Sequence, residues 1–134
     1  MELEDLNIMV TGGCGFIGSH LIDRLIKKNN KVIAYDNLDD YYAGKENNIK
    51  HHLKDPKFRL IRADIIDYAA LANAMKNADI VFHLAAQPGV SISMENPIKT
   101  NTVNTNGTLN VINAANKAKI KKIVFASSSS VYGT

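Results

Sequence analysis

Residues 8–21, IMVTGGCGFIGSHL, constrain the fold more than any other part of this chain. A short apolar run, Ile8 to Val10, leads into TGGCGFIG, and an apolar-periodic segment follows at once. Strand, tight glycine turn and helix in immediate succession give a glycine motif its structural context. Gly12 suits a tight turn off the strand. Gly15 lets the backbone come close to a pyrophosphate, and Gly18 lets the new helix pack against the strand. Gly13, Gly15 and Gly18 form GxGxxG, while Gly12, Gly15 and Gly18 form GxxGxxG. The free N–H groups and positive end of the helix would then face phosphate. On the glycines alone, a glycine-rich turn without a ligand remains an open alternative.

The second half of the pattern lies downstream. Lys31 to Asp36, KVIAYD, reads as a second strand ending in an acid, 18 residues after Gly18 and 24 after Gly12. A carboxylate is needed at about that distance to accept from the adenosine ribose hydroxyls. Its charge would repel a 2′-phosphate, which favours NAD over NADP. The alternative for Asp36 is a solvated acid at a strand end.

A chain of 134 residues makes one domain with a real core. Hydrophobic residues at 46% and charged residues at 22% are ordinary for a soluble globular protein. The net charge of +3 is scattered, and its densest cluster, Lys117, Lys119, Lys121 and Lys122, reads as a solvated helix end rather than a nucleic-acid surface. The single cysteine, Cys14, excludes an internal disulfide and fits a reducing compartment; inside the glycine turn it reads as a small filler. No apolar run approaches membrane-spanning length and the N-terminus is acidic, so a cytoplasmic protein without membrane contact is expected.

Strands are expected at about Asn7–Thr11, Lys31–Asp36, Phe58–Arg62, Ile80–His83 and Lys122–Ala126. Helices are expected at about Gly15–Lys28, Glu46–Leu53 with Ile49 and Leu53 inward, Tyr68–Lys76 behind an Asp67 N-cap, and Ile98–Lys119. Ile17, Leu21, Leu25, Ile22 and Ile26 form the apolar stripe of the first helix. The long helix is poor in propensity and needs packing through Val103, Gly107, Val111, Ala114, Ala115 and Ala118. LAAQPGVSISMENP reads as a loop. Continuous apolar strands alternating with helices imply a doubly covered parallel sheet of the Rossmann type, in order 3-2-1-4-5. The ligand crevice then opens at the ends of strands one and four. No metal-ligand cluster appears: His51 and His52 are adjacent, point different ways on a helix and read as solvated, and His83 reads as a packed, hydrogen-bonded residue.

TGGCGFIGSHL, DNLDDYY (Asp36 to Tyr42), HLAAQPGV, MENP and ASSSSVYG together resemble the extended short-chain dehydrogenase/reductase family. Within it the chain is most similar to NAD-dependent sugar-nucleotide epimerases, the UDP-glucuronate 4-epimerases first and the UDP-glucose 4-epimerases next. The resemblance implies epimerisation at C4 of a UDP-sugar through a 4-keto intermediate, with NAD as cofactor. It implies diphosphate contacts from Gly12, Gly15, Phe16, Ile17 and Gly18, and ribose contacts from Asp36 and Asn37. Adenine contacts are implied for Asp64 and Ile65. Leu84, Ala85, Ala86 and Gln87 match the loop under the diphosphate and nicotinamide ribose, and Asn104 matches an asparagine near the nicotinamide end. Ser128, four residues before Tyr132, matches the catalytic Ser or Thr.

The family's catalytic Tyr and Lys belong to a YxxxK motif in the helix after strand five, and the sequence ends before it. Tyr41 and Lys45 satisfy the spacing but follow strand two, on the adenosine side. The chain is therefore expected to be the N-terminal part of a longer enzyme, inactive on its own. The longer enzyme is expected to be a homodimer, and the isolated part to self-associate through uncovered strands four and five. Two alternatives stand beside the epimerase: a dinucleotide-binding module without catalysis, and a sugar-nucleotide dehydratase. Ser129 and Ser130 stand where a dehydratase of the family has Asp-Glu, which disfavours the latter. Ser91 stands where glucuronate epimerases usually have a basic residue.

Overall fold

The computed structural model describes residues 2–41 and 43–133; Met1, Thr134 and Tyr42, the last residue of the DNLDDYY segment, lie outside the described residues. Five parallel strands, β1 (Asn7–Thr11), β2 (Lys31–Asp36), β3 (Phe58–Arg62), β4 (Ile80–His83) and β5 (Lys122–Phe125), form one sheet in the order β3-β2-β1-β4-β5. This is the Rossmann-type arrangement. In register, Val10 of β1 lies between Ala34 of β2 and Phe82 of β4.

Successive strand residues face opposite sides of a sheet, so β1 feeds two cores. Ile8 and Val10 join Val32 and Ala34 beneath Ile22 and Leu25 of α1 (Phe16–Lys27) and Ile49 of α2 (Lys45–Ile49). Met9 joins Tyr35 and Val81 on the other face. There Leu71 and Met75 of α3 (Tyr68–Met75) meet Val111, Ala114 and Ala115 of α6 (Thr108–Lys117). The Asp67 carboxylate caps α3 by accepting from the Ala70 N–H at 3.0 Å.

Several sequence expectations change. The segment after β4 is not all loop: Val90–Glu95 forms α4 and Pro97–Asn101 forms α5. The long helix is a composite in which α5 passes into a π-helical stretch, Thr102–Gly107, before α6. After Ile49 the chain tightens into a 3₁₀ turn, Lys50–His52. Tightening to three residues per turn breaks the four-residue phase between Ile49 and Leu53, and Leu53 is left exposed. The reading of His51 and His52 as solvated side chains is also corrected, because both rings converge on Asp23 of α1. Ile17 departs from the stripe of α1 and is 69% exposed, since it lines the crevice at the start of that helix instead of the core.

At the end of α1 the chain reverses on Asn29, whose φ is +61°. The Asn30 N–H donates to the Leu25 carbonyl and the Asn29 N–H to that of Ile26, the pairing of a Schellman motif. Asn30 is fully buried with its side chain satisfied. Its amide donates to the carbonyls of Leu3 (2.8 Å) and Leu25 (2.9 Å) and its oxygen accepts from the Leu6 N–H (3.0 Å). One side chain thus ties the N-terminal lead-in to the end of α1. Asn30→Ala leaves buried backbone groups unpaired and is expected to lower stability by about 2–3 kcal/mol in denaturant unfolding; an unchanged midpoint would refute this account.

Candidate functional site

A crevice of about 450 Å³ opens at the carboxyl ends of β1 and β4, where the strand order reverses. The glycine turn forms its inner wall. Gly12 has φ +68°, and a Cβ there would stand 2.8 Å from the Ala85 nitrogen, so the turn and the β4 exit fit together only as bare backbone. At Gly18 a Cβ would stand 2.3 Å from the Gly12 oxygen. The helix is therefore packed against the turn itself, more tightly than the strand contact inferred from sequence. At Gly15 only the Gly12 oxygen lies near, at 3.3 Å, and the rest of that position is open. Helix α1 has no side-chain N-cap and no acid in its first turn. Its free N–H groups and positive end suit an anion.

Asp36 closes the next side. Its carboxylate is 6% exposed and accepts from the Cys14 N–H (3.0 Å) and the Leu38 N–H (2.9 Å), with Lys45 Nζ at 3.9 Å. Burial, then the Asp36 charge, push the Cys14 thiol up to about 12, so it is an inert filler at neutral pH. Asn37 donates to the Asp64 carboxylate at 2.9 Å. Ile66 N–H donates to the other Asp64 oxygen at 3.0 Å, and Ile65 is buried. Burial, followed by Asp67 and Asp64, raises Tyr35 to about 12, and its hydroxyl donates to the Asp64 carbonyl at 3.0 Å.

At the switch point the Thr11 hydroxyl accepts from the Leu84 and Ala85 N–H groups, each at 3.2 Å. It lies 2.7 Å from His83 Nδ1. With two donors already on the oxygen, the hydroxyl proton goes to Nδ1, so His83 carries its own proton on Nε2 and donates to Thr108 Oγ1 at 2.9 Å. Burial drives the His83 pKa down to about 4, which keeps this neutral tautomer. Further along, Asn104 grips Gln87 as a paired strand would. Its oxygen accepts from the Gln87 N–H (2.7 Å) and its amide donates to the Gln87 carbonyl (3.0 Å). Asn104 lies in the π-helical stretch, and a wide turn of this kind often marks a functional position.

Gly12, Gly15, Ile17, Gly18, Asp36, Asn37, Asp64, Ile65 and Leu84 to Gln87 all line the crevice. Phe16 projects outward next to it. Asn104 stands behind Gln87 rather than in the lining, and Ser128 caps a 3₁₀ turn (Ser129–Tyr132) by accepting from the Ser130 N–H at 3.2 Å. Tyr41 and Lys45 do line the crevice, on the Asp36 side. Sequence reasoning missed Lys99, which pairs with Asp39 at 3.0 Å across the mouth, and Thr102 and Val103 from the composite helix. Only the shared crevice reveals them, because no local motif surrounds these residues.

Residues 8–134 match the family model described as the NAD dependent epimerase/dehydratase family. The chain belongs to that family. It is 44% identical over 128 residues to a putative UDP-glucose 4-epimerase of Methanocaldococcus jannaschii, covering 94% of this chain and 39% of the relative. It is 41% identical over 126 residues to a UDP-N-acetyl-alpha-D-glucosaminuronate decarboxylase of Bacillus cytotoxicus, covering 93% and 37%. The solved UDP-N-acetylglucosamine 4-epimerase from Methanobrevibacter ruminantium M1, in complex with UDP-N-acetylmuramic acid, superposes with TM-score 0.87 at 42% identity, covering 97% of this chain and 40% of that one. The chain spans about two fifths of the length of these relatives.

The His83 arrangement has a pH signature. The folded state holds the ring neutral down to about pH 4, whereas an unfolded histidine protonates near 6.5. Stability is fully present above about pH 6.5 and falls as pH drops toward 4, by up to ~1.4 kcal/mol per unit. Denaturant unfolding across that window should show the slope, and His83→Gln should flatten it; an equal slope in the variant would exclude His83 as its source.

Proposed function

We propose that this chain is the NAD-binding domain of a cytoplasmic sugar-nucleotide epimerase acting at C4 of a UDP-sugar. The single observation that carries the reading is the junction of an uncapped α1 N-terminus, a glycine turn open at Gly15, and Asp36 at the end of β2. Those features fit a dinucleotide: the N–H groups of Phe16, Ile17 and Gly18 for the diphosphate, Asp36 and Asn37 for the adenosine ribose, and Asp64 and Ile65 for adenine. Leu84 to Gln87 form the floor under the nicotinamide half, held in place by Thr11 and Asn104. Bound there, NAD would accept hydride from a sugar carbon and return it.

The chain's own part is to bind, orient and exclude water. Ser128 is the proposed hydrogen-bond donor to the sugar's 4-oxygen. Within this chain the YxxxK spacing falls at Tyr41 and Lys45, beside Asp36, so that pair does not serve as the C4 base. Decarboxylation is a second reading, because the Bacillus cytotoxicus decarboxylase is nearly as similar as the epimerases. The two share their first step for a uronic acid: a ketone at C4 is β to the C6 carboxylate, and such an acid loses CO₂ readily.

Calorimetric titration with NAD⁺ and NADP⁺ tests the cofactor reading. NAD⁺ is expected to bind more tightly. Gly15→Val is expected to weaken it by about 100-fold with only a small fall in melting temperature, because the Gly12 oxygen, 3.3 Å from a Cβ there, is the one near neighbour that must give. Tighter NADP⁺ binding, or normal NAD⁺ binding by Gly15→Val, would overturn it.

The same reading extends to association. Edge strand β5 leaves Val124 36% and Phe125 57% exposed, and α6 presents Leu109 and Ile112 outward. An exposed apolar edge is a template for a second copy. Light scattering is expected to show mass rising with concentration, reduced by Val124→Lys; a constant monomer mass would refute it.

A further inference from the structure

Asp23 on α1 and His51 and His52 in the 3₁₀ turn bring three metal-ligating groups together on a side of the molecule that does not line the crevice. His51 Nε2 lies 2.8 Å and His52 Nε2 2.6 Å from the same oxygen, Asp23 Oδ1. All three ligand atoms fall within 4.8 Å of one another. Adjacent side chains leave a 3₁₀ turn about 120° apart, so their meeting at one oxygen is imposed by tertiary packing and not by the turn. His52 is the seated member: its side chain is 12% exposed and its ring packs on Phe58 with centroids 5.5 Å apart. His51, 57% exposed, stacks beside it at 4.0 Å and leaves one side open to water. Asp23 lies seven residues beyond Phe16, about 10 Å down the helix from the phosphate cradle.

We propose that Asp23, His51 and His52 form a binding site for one divalent transition-metal ion of the zinc class. Two imidazoles and one carboxylate suit zinc, nickel, cobalt or copper, whereas calcium and magnesium take oxygen ligands. Metal bonds of about 2.0–2.2 Å in tetrahedral geometry place ligand atoms roughly 3.3–3.5 Å apart, so each imidazole need draw back from Asp23 Oδ1 by less than about 1 Å. Each ring would bind the ion through the Nε2 lone pair as a neutral imidazole with its proton on Nδ1, and the ion would take the place of the direct Nε2–Asp23 contacts. Water fills the position on the His51 side. The ion would bind α1 to the segment after β2, the segment from which Lys45 approaches Asp36 and Asn48 donates to the Cys14 carbonyl at 3.0 Å. Occupancy would stiffen the adenosine side of the crevice without touching a ligand there.

Titration of the chain with Zn²⁺ by calorimetry, paired with the visible absorption of Co²⁺ at pH 7.5, tests the site. One equivalent per chain is expected, with tetrahedral cobalt bands. Asp23→Asn and the double variant His51→Ala/His52→Ala are each expected to weaken binding by about 100-fold. His51→Ala, at the most exposed ligand, keeps the test valid should the buried ring be needed for folding; melting curves in chelator report folding separately. His20→Ala, removing the exposed histidine at the start of α1, is expected to change nothing. No one-equivalent binding by the wild-type chain, undiminished affinity in the double variant, or an equal loss in His20→Ala would overturn the proposal.

Discussion

The Thr11 hydroxyl is the point on which the switch in strand order depends. It terminates β1, accepts from two backbone N–H groups of the chain leaving β4, and fixes the His83 ring, which in turn reaches Thr108 on α6. A hydroxyl has one proton and two lone pairs, and all three are used. That full use joins both strands flanking the crevice to the helix layer below. The turn at Gly12 can then lie against Ala85 at backbone distance, and the crevice floor follows. Replacing any member would strand a buried polar group, so the network stabilises the crevice as a unit.

Much of this was legible in the sequence because it depends on local chemistry. The glycine turn, the five apolar strands, Asp36 and the strand order each follow from residue type and period, and each agrees with the others. The buried face of α6 was also readable, since Val111, Ala114 and Ala115 keep one phase along it. Features that required tertiary information were not legible. The π-helical stretch widens the helix where Asn104 grips Gln87, and that clamp joins residues 17 apart in sequence. Lys99 and Asp39 meet across 60 residues at the crevice mouth. His51 and His52, in the 3₁₀ turn that exposes Leu53, meet on Asp23, 28 and 29 residues away, through packing that no local pattern encodes.

The polar groups of the chain separate by burial into those that hold the fold and those left for ligands. Asn30, Thr11 and His83 are buried and fully partnered within the protein. The first-turn amides of α1 are different: no side chain caps them, and they open onto the crevice. With glycine at the cap position, a helix end gives up only about a few tenths of a kcal/mol relative to Ser, Thr or Asp. Gly15 stands at that position, so the end is left available to an outside anion.

Asp36 belongs to both groups at once. One carboxylate oxygen accepts from the Cys14 N–H inside the glycine turn, and the other accepts from Leu38 N–H and lies 3.9 Å from Lys45. The charge proposed to receive ribose hydroxyls is therefore also the acceptor that shapes the turn proposed for the diphosphate. A carboxylate offers about four lone-pair sites, so two backbone partners leave room for a ligand hydroxyl. On that proposal the arrangement couples the two halves of dinucleotide recognition. Removing the acid to admit a 2′-phosphate would free the Cys14 N–H and loosen the phosphate cradle in the same step. Lys45 partly offsets the negative charge at this end without taking over its hydrogen bonds. On the proposed function, altering cofactor preference therefore requires a new acceptor for the Cys14 N–H as well as a new cation, and neither change alone is sufficient.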